Sequence, residues 1–237
     1  MEKFIKYYCR DWRFLFKLAV VILALFGLLT EYLENVLHLD RIVIVDSDGQ
    51  RNYLWAVYDQ SGKITHLNYA GYTMSWISFF TTQTNVLVFG WFLIAVIRHR
   101  QEGIIKPLRS YFSLSVAVYI TVTCLIYNIL LLLTALSNKN LVWTGCHWSA
   151  QLILHTFVPI LTVIYVVVFA KHSTLVTTKL FYRQKLGWYL IYPFVYGIYG
   201  IVKGIYVRRR VPIMDENNVM AYEDFNENLK FLEKIMA

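Results

Sequence analysis

Charged residues are scarce in this sequence: Asp, Glu, Lys and Arg together fill 16% of its 237 positions, whereas 57% of the residues are hydrophobic. A soluble domain of this length has too little polar surface to cover so much apolar material. A membrane accommodates it, because a helix of roughly 20 apolar residues crosses the hydrocarbon core of a bilayer. The shortage of charge therefore excludes an ordinary soluble domain and predicts an integral membrane protein.

Cysteine is rare as well. The three cysteines, Cys9, Cys124 and Cys146, are odd in number and show no CxxC spacing. The sequence therefore predicts neither a disulfide framework nor a zinc ribbon. A cleavable signal peptide is not expected either, because the first apolar run is too long and no small-residue cleavage pattern follows it. We expect that run to remain in the protein as a spanning helix.

Five apolar runs make up most of the chain, at residues 14–37, 74–97, 111–136, 147–170 and 186–207. The basic residues are concentrated before the first run and in the loops after the second and fourth. Lys3, Lys6, Arg10 and Arg13 precede the first run, and Lys17, in its first turn, is counted with them as a charge before the first helix. Positive-inside counting places these segments and the N-terminus in the cytoplasm, with the protein in the cell membrane. Because basic residues of this kind belong to short loops, the net charge of +8 does not indicate a nucleic-acid partner.

The C-terminal segment does not fit a five-helix topology simply. Five crossings would leave Arg208, Arg209 and Arg210 on the outer side, against the positive-inside rule, and no sixth apolar run follows them. A fifth segment that stops short, a missing sixth helix and an exception to the rule all stay open. We expect a transmembrane helical bundle over residues 1–210 and a polar tail over residues 211–237.

The loop after the first run has the pattern of short β-strands. Residues 41–45 predict one strand, and residues 54–58 and 63–67 predict a hairpin with Gly62 in its turn. We therefore expect a small extracytoplasmic β-hairpin cap at about residues 38–72, over the outer mouth of the bundle. The predicted fold class is an all-α membrane protein: a polytopic bundle of five transmembrane helices, with a sixth crossing left open, and this cap.

Several polar residues of the apolar runs fall at one depth. Thr81, Asn128 and His155 lie about 11–12 Å below the outer ends of their predicted helices, and Glu31 lies about 10 Å below. Such residues commonly form interhelical hydrogen bonds, and this is the simpler interpretation for Gln83 and its neighbours. His155 is also of the residue type that acts as a general base, and Thr81 at the same depth could be its nucleophile.

Histidine and cysteine do not form a metal-binding pattern in this sequence. His147 and His155 lie eight residues apart, which is about 12 Å along a helix, so they cannot share one ion without ligands from other helices. Cys146 beside His147 is a similarly weak ligand pattern. The sequence therefore predicts no metal site and no cofactor.

Three short motifs together resemble a known family. Phe79–Val88 resembles the F-T-x-Q-[ST]-N-x-L signature of prokaryotic six-helix membrane proteins of unknown function. Those proteins are distantly similar to the eukaryotic androgen-induced-protein family. His155–Pro159 matches the H-x-x-x-P motif of their fourth helix, and residues 192–204 are similar to the Y-P…Y…[RK]-G run of their fifth. The likeness covers most of the chain from the first helix to Gly204.

This resemblance implies a membrane-embedded threonine hydrolase, because the eukaryotic relatives cleave fatty acid esters of hydroxy fatty acids. It implies that Thr81 is the nucleophile, with Thr82 as the rival position, and that His155 is the general base. On this hypothesis His155 deprotonates the threonine, which attacks the carbonyl of a fatty acyl ester drawn from the membrane lipids.

The oxyanion formed in that reaction needs fixed hydrogen-bond donors, and the predicted donor is Gln83, Asn85 or Asn128. A non-enzymatic role is the alternative: a small-solute transporter, or a scaffold or binding component of the envelope. A continuous polar path between the two faces would favour transport, whereas a blind pocket that opens outward or to lipid would favour hydrolysis.

Overall fold

The computed structural model describes residues 10–45, 51–59, 63–132, 145–170, 186–208, 213–214 and 220–221. By its contacts the chain falls into two units, Met1–Val176 and Thr177–Ala237. The first unit holds a helical bundle and the second holds a further helix, and each is described by itself.

The described part of the first unit contains five α-helices: α1 (Trp12–Leu37), α2 (Tyr69–Ser78), α3 (Phe80–Ile97), α4 (Ser110–Ile126) and α5 (Gly145–Phe169). Helix α1 begins where the Asp11 carboxylate accepts a hydrogen bond from the N–H of Arg13 at 3.0 Å, which satisfies one of the unpaired donors of the first turn. Wider π turns follow α4 and interrupt α5, at Tyr127–Leu131, Ile153–Phe157 and Tyr165–Phe169. Such turns are rare and often occur at functional sites.

Four helices in the described part of the chain are long and apolar enough to cross a membrane: Trp12–Leu37, Phe80–Ile97, Phe112–Ile129 and Gly145–Phe169. Their outward faces carry exposed large hydrophobic residues, such as Ile22, Phe26 and Leu29 on α1. Lipid tails are the solvent that suits such faces. The predicted helical membrane bundle is confirmed at this level, while the count of five crossings stays a prediction and a sixth would lie outside the described residues.

The second apolar run is interrupted at Phe79. The Ser78 hydroxyl donates to the carbonyl of Ser75 at 2.6 Å, and the N–H of Phe79 donates to the carbonyl of Trp76 at 3.2 Å, which tightens the last turn of α2. Phe79 then takes an extended conformation with φ −69° and ψ 136° before α3 begins. A serine that bonds to the preceding turn competes with regular helical hydrogen bonding. The single helix predicted over residues 74–97 is therefore corrected to two helices.

Helices α1 and α4 each contact both α3 and α5, so the four long helices enclose one core. We call the end with the start of α1 and the loop 98–109 the basic end, and the opposite end, where α1 leads into the β-strands, the hairpin end. Gly27 lets α1 approach α5 closely, because a Cβ atom at this position would lie only 2.7 Å from the Leu154 Cδ2 atom. Small residues commonly serve this purpose where membrane helices touch.

Two short antiparallel hairpins follow α1. Strand β1 (Val43–Val45) pairs with β2 (Arg51–Tyr53), and β3 (Ala56–Tyr58) pairs with β4 (Ile64–Leu67). The predicted strand at residues 41–45 and the predicted pairing of 54–58 with 63–67 are thus present with slightly shorter bounds. The sequence did not predict β2, because Arg51-Asn52-Tyr53 lacks the alternating apolar pattern of a strand. The turn predicted at Gly62 lies outside the described residues.

The hairpins connect to α2 through Trp55. The N–H of Asn68 donates to the carbonyl of Trp55 at 2.7 Å, and the Trp55 ring meets the edge of Tyr72 at 5.7 Å between ring centroids. Tyr72 is itself buried and its ring stacks near Tyr32 of α1. These contacts hold the strands at the hairpin end, while their role as a cap stays a prediction.

The described part of the second unit contains α6 (Leu186–Arg208), which agrees with the fifth apolar run. Pro193 lies inside this helix and removes one backbone donor from it. The stretch Tyr189–Val202 within α6 is apolar. Two-residue strands, β5 (Ile213–Met214) and β6 (Met220–Ala221), pair within the predicted polar tail.

Candidate functional site

Two groups of polar side chains lie inside the bundle. The group toward the hairpin end, which we call the hairpin-end layer, consists of Glu31, Asn85, Tyr127, Gln151 and His155. The other group, which we call the basic-end cluster, consists of Lys17, Glu102 and Tyr165. A layer of fully buried apolar side chains separates the two: Val20, Ala24, Val88, Ile120 and Val158.

The separation between the polar groups is large. Lys17 and Glu31 both belong to α1 and are about 14 residues apart, which is about 21 Å along the helix. The hairpin-end layer and the basic-end cluster therefore lie toward opposite ends of the bundle.

His155 is held in a single orientation in the hairpin-end layer. Its ring is 4% exposed and stacks on the Tyr127 ring at 4.2 Å between centroids. The Nδ1 atom lies 3.0 Å from the carbonyl oxygen of Gln151. A carbonyl only accepts hydrogen bonds, so the ring proton of the neutral imidazole belongs on Nδ1 and Nε2 is the basic nitrogen. This is the tautomer that a general base requires.

Thr81 and Thr82 lie in the first turn of α3, where Thr81 is partly exposed and Thr82 is 4% exposed. The Thr81 carbonyl accepts hydrogen bonds from the Thr84 hydroxyl at 3.0 Å and from the Asn85 amide at 2.9 Å. Among the described residues, no hydrogen bond joins the Thr81 hydroxyl to His155. The catalytic pairing of these two residues therefore stays a prediction.

Asn128 fastens α4 to α5. Its amide nitrogen donates to the backbone carbonyls of Cys124 at 2.9 Å and of His155 at 3.1 Å, and its oxygen accepts from the Thr156 hydroxyl at 3.0 Å. Both amide hydrogens are thus engaged in this arrangement, and none is left to donate to an oxyanion. The contacts make Asn128 an interhelical link that fixes the turn carrying His155.

The other two predicted binding residues lie on α3. Asn85 is 1% exposed; its nitrogen donates to the Thr81 carbonyl, and its oxygen has no hydrogen-bond partner among the described residues. The unpaired atom is an acceptor, so it matches a donor on a ligand rather than an oxyanion. Gln83 is partly exposed on the same turn of the helix.

Tyr127 is a member of the layer that the sequence did not single out. It is 2% exposed, and its hydroxyl has no hydrogen-bond partner among the described residues. One turn earlier, the Thr123 hydroxyl lies 2.7 Å from that of Thr84 and ties α4 to α3. The chain contains 18 tyrosines, and only the position of Tyr127 directly before Asn128 could have drawn attention to it.

Glu31 links three helices at the outer margin of the layer. Its carboxylate accepts hydrogen bonds from the Gln151 amide of α5 at 3.0 Å and from the Trp76 indole of α2 at 3.3 Å. Tyr72 lies near enough for the negative charge to act on its hydroxyl. Burial, reinforced by the charge of Glu31, raises the pKa of Tyr72 above its ordinary value.

The basic-end cluster is the most deeply buried charged group that the structure describes. The Lys17 ammonium lies 2.9 Å from Glu102 Oε2, and the Tyr165 hydroxyl lies 3.0 Å and 2.9 Å from the two carboxylate oxygens. The side chains of Lys17 and Glu102 are 0% and 3% exposed. Gly103, at φ 80°, turns the loop directly after Glu102. The assignment of Lys17 to the basic residues before the first helix is wrong, because Lys17 lies inside α1.

No group of three or more His, Cys, Asp or Glu side chains in the described ranges is placed to hold a metal ion. Comparison of the chain with models of protein families, with curated proteins and with solved structures finds no match. Four long apolar helices carry exposed hydrophobic residues on their outer faces and enclose polar side chains between them. These features are those of an α-helical membrane protein.

Proposed function

We propose that the protein is a membrane-embedded hydrolase of fatty acyl esters, with its active site in the hairpin-end layer. The observation that carries this proposal is the state of His155. A buried imidazole whose Nδ1 hydrogen is committed to the Gln151 carbonyl presents Nε2 as a base in a setting that excludes bulk water. Such a setting strengthens the electrostatic interactions on which acyl transfer depends.

In the proposed reaction, His155 Nε2 takes the proton of the Thr81 hydroxyl while its oxygen attacks the ester carbonyl. The resulting tetrahedral intermediate expels the alcohol, which receives the proton from His155. Water, deprotonated by His155 in turn, then hydrolyses the acyl-threonine ester and releases the fatty acid. The Tyr127 hydroxyl is the donor that we assign to the oxyanion, because it is buried beside His155 and the hydrogens of Asn128 are engaged.

A lipid substrate is consistent with the surroundings of the layer. The outward faces of the helices are apolar, so an acyl chain can approach from the bilayer while the ester enters the polar layer. Positive-inside counting puts the basic end in the cytoplasm and the hairpin end outside. The resemblance of Phe79–Val88 and His155–Pro159 to a family related to membrane threonine hydrolases supports the same activity.

The test is labelling of the detergent-solubilised protein with a fluorophosphonate probe, followed by hydrolysis of long-chain acyl esters. We expect Thr81→Ala to abolish labelling and His155→Ala to slow it by about 10²–10⁴-fold. Tyr127→Phe keeps the ring stacking and should slow hydrolysis by about 10²–10³-fold. Thr121→Ala is the matched control, because within the described ranges the Thr121 hydroxyl bonds to the Ala117 carbonyl of its own helix and to no other group. A folded wild type that neither labels nor hydrolyses esters would overturn the proposal.

One observation favours small-solute binding or transport as a second candidate. The helix break at Phe79 lies three residues from Trp76, which contacts Glu31, and broken helices beside polar groups are typical of transporter binding sites. The fully buried apolar side chains of Val20, Val88 and Val158 between the two polar groups weigh against it. Uptake of solute into proteoliposomes by a protein that fails to label would favour this candidate.

A further inference from the structure

The surface of the basic end carries charge of one sign. The exposed charged side chains of residues 10–17 and 98–109 are all basic: Arg10, Arg98, Arg100, Lys106 and Arg109. The two acidic residues of these ranges are engaged with other side chains. The Asp11 carboxylate lies 2.8 Å from the His99 ring, and the Glu102 carboxylate is buried against Lys17. The loop therefore withdraws its carboxylate into the bundle and keeps its cations on the surface.

The loop 98–109 is fixed to the bundle by two buried side chains. Glu102 belongs to the basic-end cluster, and Leu108 is 1% exposed in the apolar core. Between them, the N–H of Gly103 donates to the carbonyl of Leu108 at 3.1 Å and closes the segment. Ile104, inside this closed segment, is 66% exposed. The fold thus holds an isoleucine outward at a place where both neighbouring anchors are buried.

One cation is fixed beside that isoleucine. The Nε atom of Arg109 donates to the carbonyl of Ile104 at 3.2 Å. The guanidinium carries four further N–H donors in a planar fork, which matches the oxygen atoms of a phosphate. We call Ile104 and Arg109 the loop tip. It combines an exposed apolar side chain with a phosphate-type donor, among the other exposed cations of the basic end.

The loop is joined to α1 at the level where that helix begins. The His99 Nε2 atom lies 2.8 Å from the carboxylate of Asp11, the residue that caps α1. The next residue, Trp12, is 49% exposed, and the Arg13 guanidinium lies 5.7 Å from its ring centroid. An exposed tryptophan at the end of a spanning helix is typical of the head-group region of a bilayer. Side chains of the loop are therefore close to the depth of lipid head groups.

We propose that the loop tip is a docking site for the head groups of anionic phospholipids. The guanidinium of Arg109 binds the phosphate, and Ile104 enters the boundary between head groups and acyl chains. Each Lys or Arg near an anionic membrane surface strengthens binding roughly fivefold, so the surrounding cations add to this attraction. A soluble anion would leave Ile104 in water. The site lies at the opposite end of the bundle from the hairpin-end layer and does not depend on the proposed hydrolase activity.

The test follows the melting temperature of the whole chain in micelles of an uncharged detergent as phospholipid is added. Phosphatidylglycerol is the probe, and phosphatidylcholine with the same acyl chains, inorganic phosphate and polyglutamate are the comparisons. We expect saturable stabilisation by phosphatidylglycerol that weakens as salt is added, because salt screens exposed charges. An equal effect of phosphatidylcholine would mean that only acyl chains bind. An equal effect of inorganic phosphate would show a simple anion site, and one of polyglutamate an acidic-peptide surface. Each of these three results would overturn the proposal.

A charge variant locates the phosphate contact. Arg109→Gln should raise the fraction of phosphatidylglycerol needed for half-maximal stabilisation by about fivefold or more. Arg41→Gln is the matched control, because it removes the same charge from an exposed arginine at the hairpin end, and it should leave that fraction unchanged. Equal shifts in the two variants would show attraction to net charge alone and would contradict the site.

An apolar variant tests the insertion of Ile104. Ile104→Ser should raise the same fraction by about tenfold, since serine gains little from leaving water. Ile64→Ser replaces an isoleucine of β4 that is 39% exposed, and it should behave as the wild type does. A wild type that does not prefer phosphatidylglycerol, or a variant with both Ile104→Ser and Arg109→Gln that still responds as the wild type, would reject the docking site.

Discussion

Replacement of Lys17 by methionine should destabilise the bundle strongly. Methionine keeps the apolar length of the side chain but leaves the Glu102 carboxylate buried at 3% exposure without the charge of Lys17 beside it. Loss of one partner from a buried ion pair typically costs about 3–5 kcal/mol, which is roughly a 10²–10⁴-fold change in the ratio of folded to unfolded protein. Tyr165→Phe removes the hydroxyl whose single hydrogen is shared between the two oxygens of the same carboxylate and should cost about 1.5–3 kcal/mol.

The double variant Lys17→Met with Glu102→Gln separates charge pairing from packing. It removes both charges, so no uncompensated carboxylate is left, and it should be more stable than Lys17→Met alone by about 0.5–3 kcal/mol. Unfolding in mixed micelles, followed by circular dichroism against increasing denaturing detergent, measures these differences. Lys106→Met is the matched control, because Lys106 is exposed at the same end of the bundle.

Two outcomes would refute this account of the basic-end cluster. The first is a Lys17→Met variant that is as stable as Lys106→Met. The second is a double variant whose loss of stability equals the sum of the losses in Lys17→Met and Glu102→Gln measured singly. Additive losses would mean that the two side chains do not interact.

Two further predictions concern Asp11 at the start of α1 and the contact of Gly27 with α5. Burial alone would raise the pKa of Asp11, but the hydrogen bond from His99, the N–H of Arg13 and the charge of His99 outweigh it and hold the pKa below 3.8. The resulting stabilisation is present above pH 3.8 and is lost as the pH falls through the lower folded-state value. Asp11→Asn should therefore remove about 0.2–1 kcal/mol at neutral pH and flatten the acid limb of a plot of melting temperature against pH; an unchanged acid limb would count against the pair. Gly27→Val should cost about 1–3 kcal/mol through overpacking against α5, whereas Gly90→Val, with open space around its Cβ position, should not show that loss in the same unfolding assay.

The helices themselves could be predicted because long apolar runs leave few alternatives. The first run was expected at residues 14–37 and is observed at Trp12–Leu37. The break at Phe79 could not be predicted in the same way, since the apolar pattern continues across it and the interruption depends on which carbonyl the Ser78 hydroxyl reaches. Hydrophobicity specifies where a chain enters the membrane but not where a single turn departs from the helix.

The contacts of the polar residues were likewise only partly predictable from the sequence. Counting residues from the helix ends predicted that Asn128 and His155 lie at one depth. In the structure the Asn128 amide donates to the backbone carbonyl of His155 at 3.1 Å. Depth does not reveal that Asn85 presents its oxygen rather than its nitrogen, because that depends on the neighbouring Thr81 carbonyl. Lys17 was misassigned because its partner Glu102 lies 85 positions further along the chain, a distance over which residue patterns carry no pairing information.

That separation has a consequence for how the protein is made. Lys17 leaves the ribosome 85 residues before the carboxylate that will neutralise it, which at about 5–20 residues per second means a wait of roughly 4–17 seconds. During this time its long side chain can keep the ammonium in the head-group region. The first helix can therefore take its final position only after the loop between α3 and α4, which carries Glu102, has been made. The order of synthesis and the order of burial thus differ at this position: Lys17 emerges early but is enclosed only after Glu102 has followed it.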